Sequence, residues 1–103
     1  MPGDTEGMDG DAFEVTRDAD RHRYEIAVGG DRVGLATYRD HADVRTFDHT
    51  EIAPDHEGQG LAGHLIRKAL DDARAEGRRV VPACSYVRAF IDRNPEYADL
   101  ADA

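Results

Sequence analysis

The sequence predicts an α+β domain in which an antiparallel β-meander is followed by a β-α-β unit and a C-terminal helix. Three observations predict this fold. Apolar and polar residues alternate over the first half of the chain, a glycine-rich turn follows Pro54, and beyond it the apolar spacing lengthens to about 3.6 residues. The chain has 103 residues, which is the length of one ordinary domain.

The N-terminal segment differs from the rest of the chain in composition. Residues 1–11 are polar, acidic and rich in glycine, so they offer too little apolar surface to offset the entropy of ordering them. We therefore expect 1–11 to be disordered and 12–103 to form the single folded domain.

The meander is predicted from alternation. Residues 13–15 and 24–28 carry apolar side chains at every second position, which is the spacing of half-buried strands. The turn at 29–31 joins 24–28 to 33–38 as a hairpin. A further stretch, 43–53, alternates less cleanly and supplies the last strand of the meander.

An amphipathic helix is predicted next. It begins in the turn 58–60 and ends at Gly77, a residue type favoured just past a helix C-terminus. Its apolar residues form one stripe: Leu61, Leu65, Ile66, Ala69, Leu70 and Ala73.

The strand 79–82 follows, and the intervening helix predicts that it runs parallel to the last meander strand. A second helical pattern covers 86–91 and ends before Pro95, and 96–103 is predicted to be a short tail.

Composition excludes several classes of function. The formal net charge of -9 repels a phosphate backbone, so nucleic acid is not an expected partner. No apolar run is long enough to cross a membrane, and the acidic N-terminus is unlike a signal peptide. Cys84 is the one cysteine and cannot form an internal disulfide. We therefore expect a cytoplasmic protein that is a monomer or a weak homodimer.

The surface charge has an unusual make-up. Asp outnumbers Glu, and Lys68 is the only lysine, which resembles proteins from salt-accumulating archaea. A GC-rich genome that encodes Arg and Asp in preference to Lys would give the same composition.

The glycine turn is the strongest chemical signal in the chain. Small residues between a strand and a helix let backbone N–H groups point at an anion, and the helix dipole adds favourable potential. Residues 58–63 also satisfy the G-x-G-x-x-G dinucleotide pattern, but no acid occupies the ribose position about 20 residues on. The alternative is that these glycines only permit a tight turn.

Four segments occur in order between His49 and Tyr97: HTEIAP, EGQGLAGHLIRKAL, VVPACSYV and NPEY. With these segments the chain resembles the small, minimal-domain members of the GNAT N-acetyltransferase superfamily. The superfamily signature, Gln or Arg-x-x-Gly-x-Gly or Ala, falls on Glu57, Gly60 and Ala62, and Glu57 departs from it. The resemblance implies that acetyl-CoA binds through its pyrophosphate to the loop Glu57, Gly58, Gln59, Gly60, Leu61, Ala62 and Gly63.

The resemblance also implies a sheet that splays between the strand before this loop and the strand 79–82. The pantetheine arm of CoA would pair with the former strand through the backbone of Ile52 and Ala53. An acetyl group lying at the splay would be polarised by a backbone N–H and transferred directly to an amine.

A transferring site needs a base, because an amine with an ordinary pKa near 10 is protonated at neutral pH (about 10.4 for lysine). Glu51 and His49 are two positions apart on one strand and share a face unless a bulge intervenes, so either could take the proton. Thr50 points to the other face. A solvated carboxylate and a histidine satisfied by the backbone are the alternatives.

Three further residues are candidates for the site. Cys84 lies at the C-terminal end of its strand and could be a nucleophile, a pocket wall or plain core. Tyr86 and Tyr97 could reprotonate the departing CoA thiolate, a role that the resemblance implies for a tyrosine on the last helix. A buried tyrosine with a satisfied hydroxyl is the alternative.

No metal is expected, because His22, His41, His56 and His64 lack the spacing of metal ligands. The sequence therefore predicts an acetyl-CoA-dependent N-acetyltransferase that acts on an amine-bearing small molecule or protein. Two other classes stay open: a CoA or acyl-CoA-binding module without turnover, and a small interaction domain whose glycine loop is structural.

Overall fold

A computed structural model describes residues 12–101, and the predicted disorder of 1–11 lies outside these residues. A five-stranded sheet has the order β1-β2-β3-β4-β5. In chain order the elements are β1 (Phe13–Asp18), β2 (Arg23–Val28), β3 (Asp31–His41), β4 (Val44–Ile52), α1 (Leu61–Ala75), β5 (Arg79–Pro82), α2 (Ser85–Arg93) and α3 (Ala98–Ala101), with 3₁₀ turns at Pro54–His56 and Pro95–Tyr97.

The predicted fold class is confirmed. Strands β1 to β4 form an antiparallel meander, and β5 pairs in parallel with β4 from Val44 opposite Arg79 to Phe47 opposite Pro82. The buried residues of α1 are those of the predicted stripe, and they pack with Val87, Phe90 and Ile91 of α2 in one core against one face of the sheet. No helix within residues 12–101 is long and apolar enough to cross a membrane.

A β-bulge in β4 explains why 43–53 alternates less cleanly. Thr37 pairs with His49 and Tyr38 pairs with Phe47, so Asp48 is the extra residue. The alternation of buried side chains shifts by one residue at the bulge, since Phe47 is buried before it and Thr50 after it. The pairing of β5 also ends opposite Phe47. The last part of β4 is thus left without a strand on its β5 side.

The predicted tail is wrong where the structure describes it. Residues 95–101 form a 3₁₀ turn and the short helix α3, with Tyr97 and Leu100 buried in the core. Their spacing of three residues places both side chains on one side of a helical segment. Residues 102 and 103 lie outside the described part.

An ionic cluster holds the C-terminal end of α1 to the sheet. Arg45 is fully buried, and its guanidinium donates to Asp40 at 2.7 and 2.9 Å and to Glu76 at 2.9 Å. It also lies 4.4 Å from the centre of the Tyr38 ring. The hydrogen bond from Arg17, together with that from Arg45, lowers the pKa of Glu76 to about 2.

The low pKa of Glu76 predicts a pH-dependent stability. A carboxyl group whose pKa falls from 4.5 to about 2 on folding stabilises the fold fully above pH 4.5, and that stabilisation is lost as the pH falls toward 2. Glu76→Gln is therefore expected to lower the free energy of unfolding by about 1 kcal/mol near neutral pH, a small value because the group is partly exposed. Denaturant unfolding at several pH values measures this difference. It should shrink as the pH falls through that window, whereas Glu14→Gln, at an exposed position of β1, should have little effect at any pH. A Glu76→Gln difference that stays constant with pH would contradict the assignment.

Candidate functional site

The glycine loop leads directly into α1. Gly58 and Gly60 have φ values of +84° and +79°, a left-handed conformation that side chains disfavour. Gly60 is the N-cap of α1, no side chain caps this end, and no acidic residue occupies the first turn. The first N–H groups of α1 are therefore left for another partner. The buried stripe of α1 fixes this helix end beside the end of β4.

A cavity of about 350 Å³ lies between this loop and α2. Seven of the nine predicted cofactor-binding residues line it: Ile52, Glu57, Gly58, Gly60, Leu61, Ala62 and Gly63. The remaining two, Ala53 and Gln59, do not line it. The opposite wall comes from Tyr86 and Phe90 of α2 and from Arg93 and Asn94 at its end. Its size is within the range of small-ligand pockets, about 300–1,000 Å³.

The end of β4 presents free backbone groups to this opening. The Ala53 N–H donates to the Val33 carbonyl at 2.7 Å, and the Ala53 carbonyl accepts from the His56 N–H at 2.8 Å, so both backbone groups of Ala53 are engaged. Backbone groups alternate sides along a strand. Those of Ile52 and Thr50 therefore face the side where β5 has ended. Of the two residues predicted to pair with a ligand, Ile52 has the available groups.

His49 and Glu51 meet on the face of the sheet that the described helices leave uncovered. His49 Nε2 lies 2.8 Å from Glu51 Oε2, and the two side chains are 59% and 61% exposed. Both lie beyond the bulge, so the predicted shared face holds. A shallow depression of about 150 Å³ on this strand end is lined by Glu51, Leu35 and Arg32 among others.

Cys84 lies in the gap that opens where β5 ends. It is buried, and its thiol donates to the Thr50 hydroxyl at 3.3 Å. Thr50 points away from His49 and Glu51, as its place in the alternation predicts, and is itself buried. The hydrogen-bond partner of the thiol is thus a hydroxyl and not a base.

The two tyrosine candidates differ in position. The Tyr97 hydroxyl donates to Asp71 at 2.6 Å and accepts from Arg67 at 3.1 Å. Burial and the bond to Asp71 raise the pKa of Tyr97, and this side chain does not line the cavity. Tyr86 lines the cavity beside Ile52 and is 39% exposed. Of the two tyrosine candidates, the structure thus places only Tyr86 in the wall of the cavity.

Sequence reasoning missed Phe90, Arg93 and Asn94 as parts of the site. Tyr86, Phe90 and Arg93 follow one another at four and three residues, so they share one face of α2. This helical spacing is the sequence signal from which Phe90 and Arg93 could have been predicted to share a face with Tyr86. The pattern over 86–91 predicts only a helix, however, and Phe90 belongs both to the core and to the cavity wall.

Among residues 12–101 there is no group of three or more His, Cys, Asp or Glu side chains that could hold a metal ion. His56 lines the cavity, and its Nδ1 is buried without a hydrogen-bond partner among the described residues.

Comparisons with known proteins point to one family. A family model described as GCN5-related N-acetyl-transferase matches residues 23–100. Protein NATD1 from Bos taurus is 29% identical over 85 residues, covering 81% of this chain and 75% of that protein. Streptothricin acetyltransferase from Streptomyces lavendulae is 37% identical over 78 residues, covering 72% of this chain but 41% of that enzyme.

Two solved structures show the same fold. The NMR structure of a GCN5-like protein from Staphylococcus aureus superposes with a TM-score of 0.67 at 20% identity, covering 90% of this chain and 89% of that one. N-acetylglutamate synthase from Neisseria gonorrhoeae, in complex with coenzyme A and N-acetyl-glutamate, superposes with a TM-score of 0.58 at 18% identity. It covers 70% of this chain and 18% of that one.

Proposed function

The chain belongs to the GCN5-related N-acetyltransferase family, and on that premise we propose that it binds acetyl-CoA in the cavity beside the glycine loop and transfers the acetyl group directly to an amine. One observation carries the proposal. The uncapped N-terminus of α1 and the unpaired end of β4 border the same cavity. An anion site and a strand-pairing edge in one cavity suit a ligand that has a pyrophosphate at one end and an amide-containing arm at the other.

In this proposal the loop and the strand end hold the two parts of CoA. The N–H groups of Leu61, Ala62 and Gly63 donate to the pyrophosphate, and the helix dipole favours its negative charge. Ile52 pairs with the pantetheine arm as an added strand would. The thioester then lies at the gap between the end of β5 and β4, close to the backbone of Thr50.

The acceptor amine approaches from the uncovered face, where His49 and Glu51 lie. Their hydrogen bond makes the two side chains one proton-accepting pair, in which Glu51 orients the imidazole and holds its charge. The pair takes a proton from the ammonium group. The amine nitrogen attacks the carbonyl carbon, a backbone N–H of the open β4 edge stabilises the oxyanion, and the C–S bond breaks. Tyr86 gives the departing thiolate its proton, while the nitrogen loses its second proton to solvent as the amide forms and solvent reprotonates Tyr86.

Cys84 forms the wall behind the thioester in this account and does not attack it. Its thiol is buried and donates to Thr50, and a nucleophilic thiol needs a neighbour that favours the thiolate. We expect Cys84→Ala to retain most of the transfer activity. Mass spectrometry of the parent chain with acetyl-CoA and no amine should show no acetylated cysteine. A trapped acetyl-Cys84, together with an inactive Cys84→Ser chain that still binds CoA, would contradict direct transfer.

Turnover tests the proposed function. The chain is incubated with acetyl-CoA and, separately, with a polyamine, an aminosugar, a lysine-containing peptide and a peptide with a free α-amine. Release of the CoA thiol and the mass of each amine are followed. We expect release that depends on one class of amine and an acetylated product of that class. CoA binding without release for any amine would support a binding module instead, and an absence of both would leave the loop with a structural role.

A further inference from the structure

The C-terminal end of α2 lines the same cavity as the glycine loop. Arg93 is the last residue of α2, and it lies on the same face as Phe90, whose ring would be 3.8 Å from a methyl group placed on Gly63. This contact fixes the end of α2 next to the first turn of α1. Arg93 lines the cavity together with Glu57 and Gly58.

The neighbouring arginines have partners, whereas Arg93 has none among residues 12–101. Arg67 donates to the Tyr97 hydroxyl at 3.1 Å and to the Asn94 side chain at 3.2 Å. Arg88, on the same helix, donates to the Pro82 carbonyl at 3.2 Å and lines a different groove. Arg93 is exposed, and it is the one arginine or lysine among the residues that line the cavity.

The glycine loop carries a negative charge, on Glu57, which disfavours the binding of an anion. Glu57 lines the cavity at the position where the family signature has Gln or Arg. In a chain of net charge -9, the unpaired Arg93 in the same cavity is the available source of positive arginine or lysine charge there. Guanidinium groups bind phosphate through charge-assisted, often bidentate hydrogen bonds.

We propose that Arg93 binds a phosphate group of CoA and supplies from α2 the cation that the loop lacks. This inference rests on the proposed binding of acetyl-CoA. The phosphate is either the pyrophosphate or the ribose 3′-phosphate, which share the chemistry that a guanidinium recognises. The Glu57 carboxylate repels the same phosphate, so the affinity of the cavity for CoA depends on both Arg93 and Glu57.

Calorimetric titration of Arg93→Gln with CoA, dephospho-CoA and pantetheine tests the proposal. We expect the dissociation constant for CoA to rise by about tenfold, in line with one charge-assisted hydrogen bond, and its salt dependence to flatten. Binding of pantetheine should be unchanged. An equal loss for CoA and dephospho-CoA assigns Arg93 to the pyrophosphate, and a loss confined to CoA assigns it to the 3′-phosphate.

Three variants act as controls. Arg88→Gln, which removes a cation from the other side of α2, should bind CoA as the parent does. Arg93→Lys should restore part of the affinity, and Glu57→Gln should raise it. An Arg93→Gln chain that binds CoA as tightly as the parent would overturn the inference and leave the proposed function intact. A parent chain that does not bind CoA would overturn both.

Discussion

Glu51→Gln is expected to lower the rate of acetyl transfer by roughly 10²- to 10⁴-fold, the usual contribution of a general base. The amide is nearly isosteric but cannot accept the proton of the ammonium group, nor can it stabilise a protonated His49. Binding of CoA should be unchanged, because Glu51 lies on the uncovered face of the sheet and the cofactor cavity lies on the other. Steady-state rates with the best amine, together with the dissociation constant for CoA, measure the two effects separately.

Raising the pH should partly rescue Glu51→Gln, since solvent then deprotonates the amine. His49→Ala distinguishes the partners of the pair. If the imidazole is the base, this variant loses as much activity as Glu51→Gln, and if the carboxylate is the base, it keeps more. Glu25→Gln changes a carboxylate that is paired with Arg23 on β2 and should leave the rate unaltered. Parent-like rates in both Glu51→Gln and His49→Ala would exclude this pair as the base.

Gly63→Asp is expected to abolish CoA binding while the fold is kept. Gly63 is in the first turn of α1 with ordinary helical φ, and a Cβ there would meet only Phe90, at 3.8 Å. An acidic residue in the first turn also interacts favourably with the helix dipole and so stabilises the helix. The melting temperature without ligand should therefore stay constant or rise. The same carboxylate would lie where we propose that the pyrophosphate binds. The rise in melting temperature that CoA gives the parent should therefore be lost.

Gly63→Ala is the matched control for this change. It should stabilise the helix by up to about 1 kcal/mol and leave CoA binding largely intact, because the added methyl group makes only an ordinary contact. Gly60 is a poorer choice, since its φ of +79° would strain any substitution and confuse a loss of binding with a loss of fold. A Gly63→Asp chain with the parent's response to CoA would show that the anion binds elsewhere.

The periodicity of the sequence was sufficient for most of the fold. Alternation predicted the meander, the apolar stripe of α1 was correct residue by residue, and the intervening helix predicted that β5 runs parallel to β4. The bulge at Asp48 could not be predicted, because it depends on how β3 and β4 pair and appears in the sequence only as imperfect alternation. The helical turns at 95–101 were missed because a pair of apolar residues is too short a pattern to establish a period.

The parts of the candidate site that a local sequence pattern forms could be predicted. The parts that tertiary packing brings together could not. The glycine loop could be predicted because glycine is the residue type that readily adopts positive φ. The pairing of His49 with Glu51 could be predicted from their spacing of two residues along one strand. Tyr86 and Tyr97 could not be ranked, because the choice depends on which tyrosine α1 covers. Arg93 could not be identified from the sequence for the same reason, since its place in the cavity wall depends on how α2 packs against α1.

The central claim is that acetyl-CoA binds to this cavity, and a calorimetric titration of the parent chain with acetyl-CoA tests it before any acceptor is known. The account predicts saturable binding of one molecule per chain, competition by CoA, and loss of the signal in Gly63→Asp but not in Gly63→Ala. An absence of binding at millimolar acetyl-CoA, or binding that Gly63→Asp leaves unchanged, would contradict it.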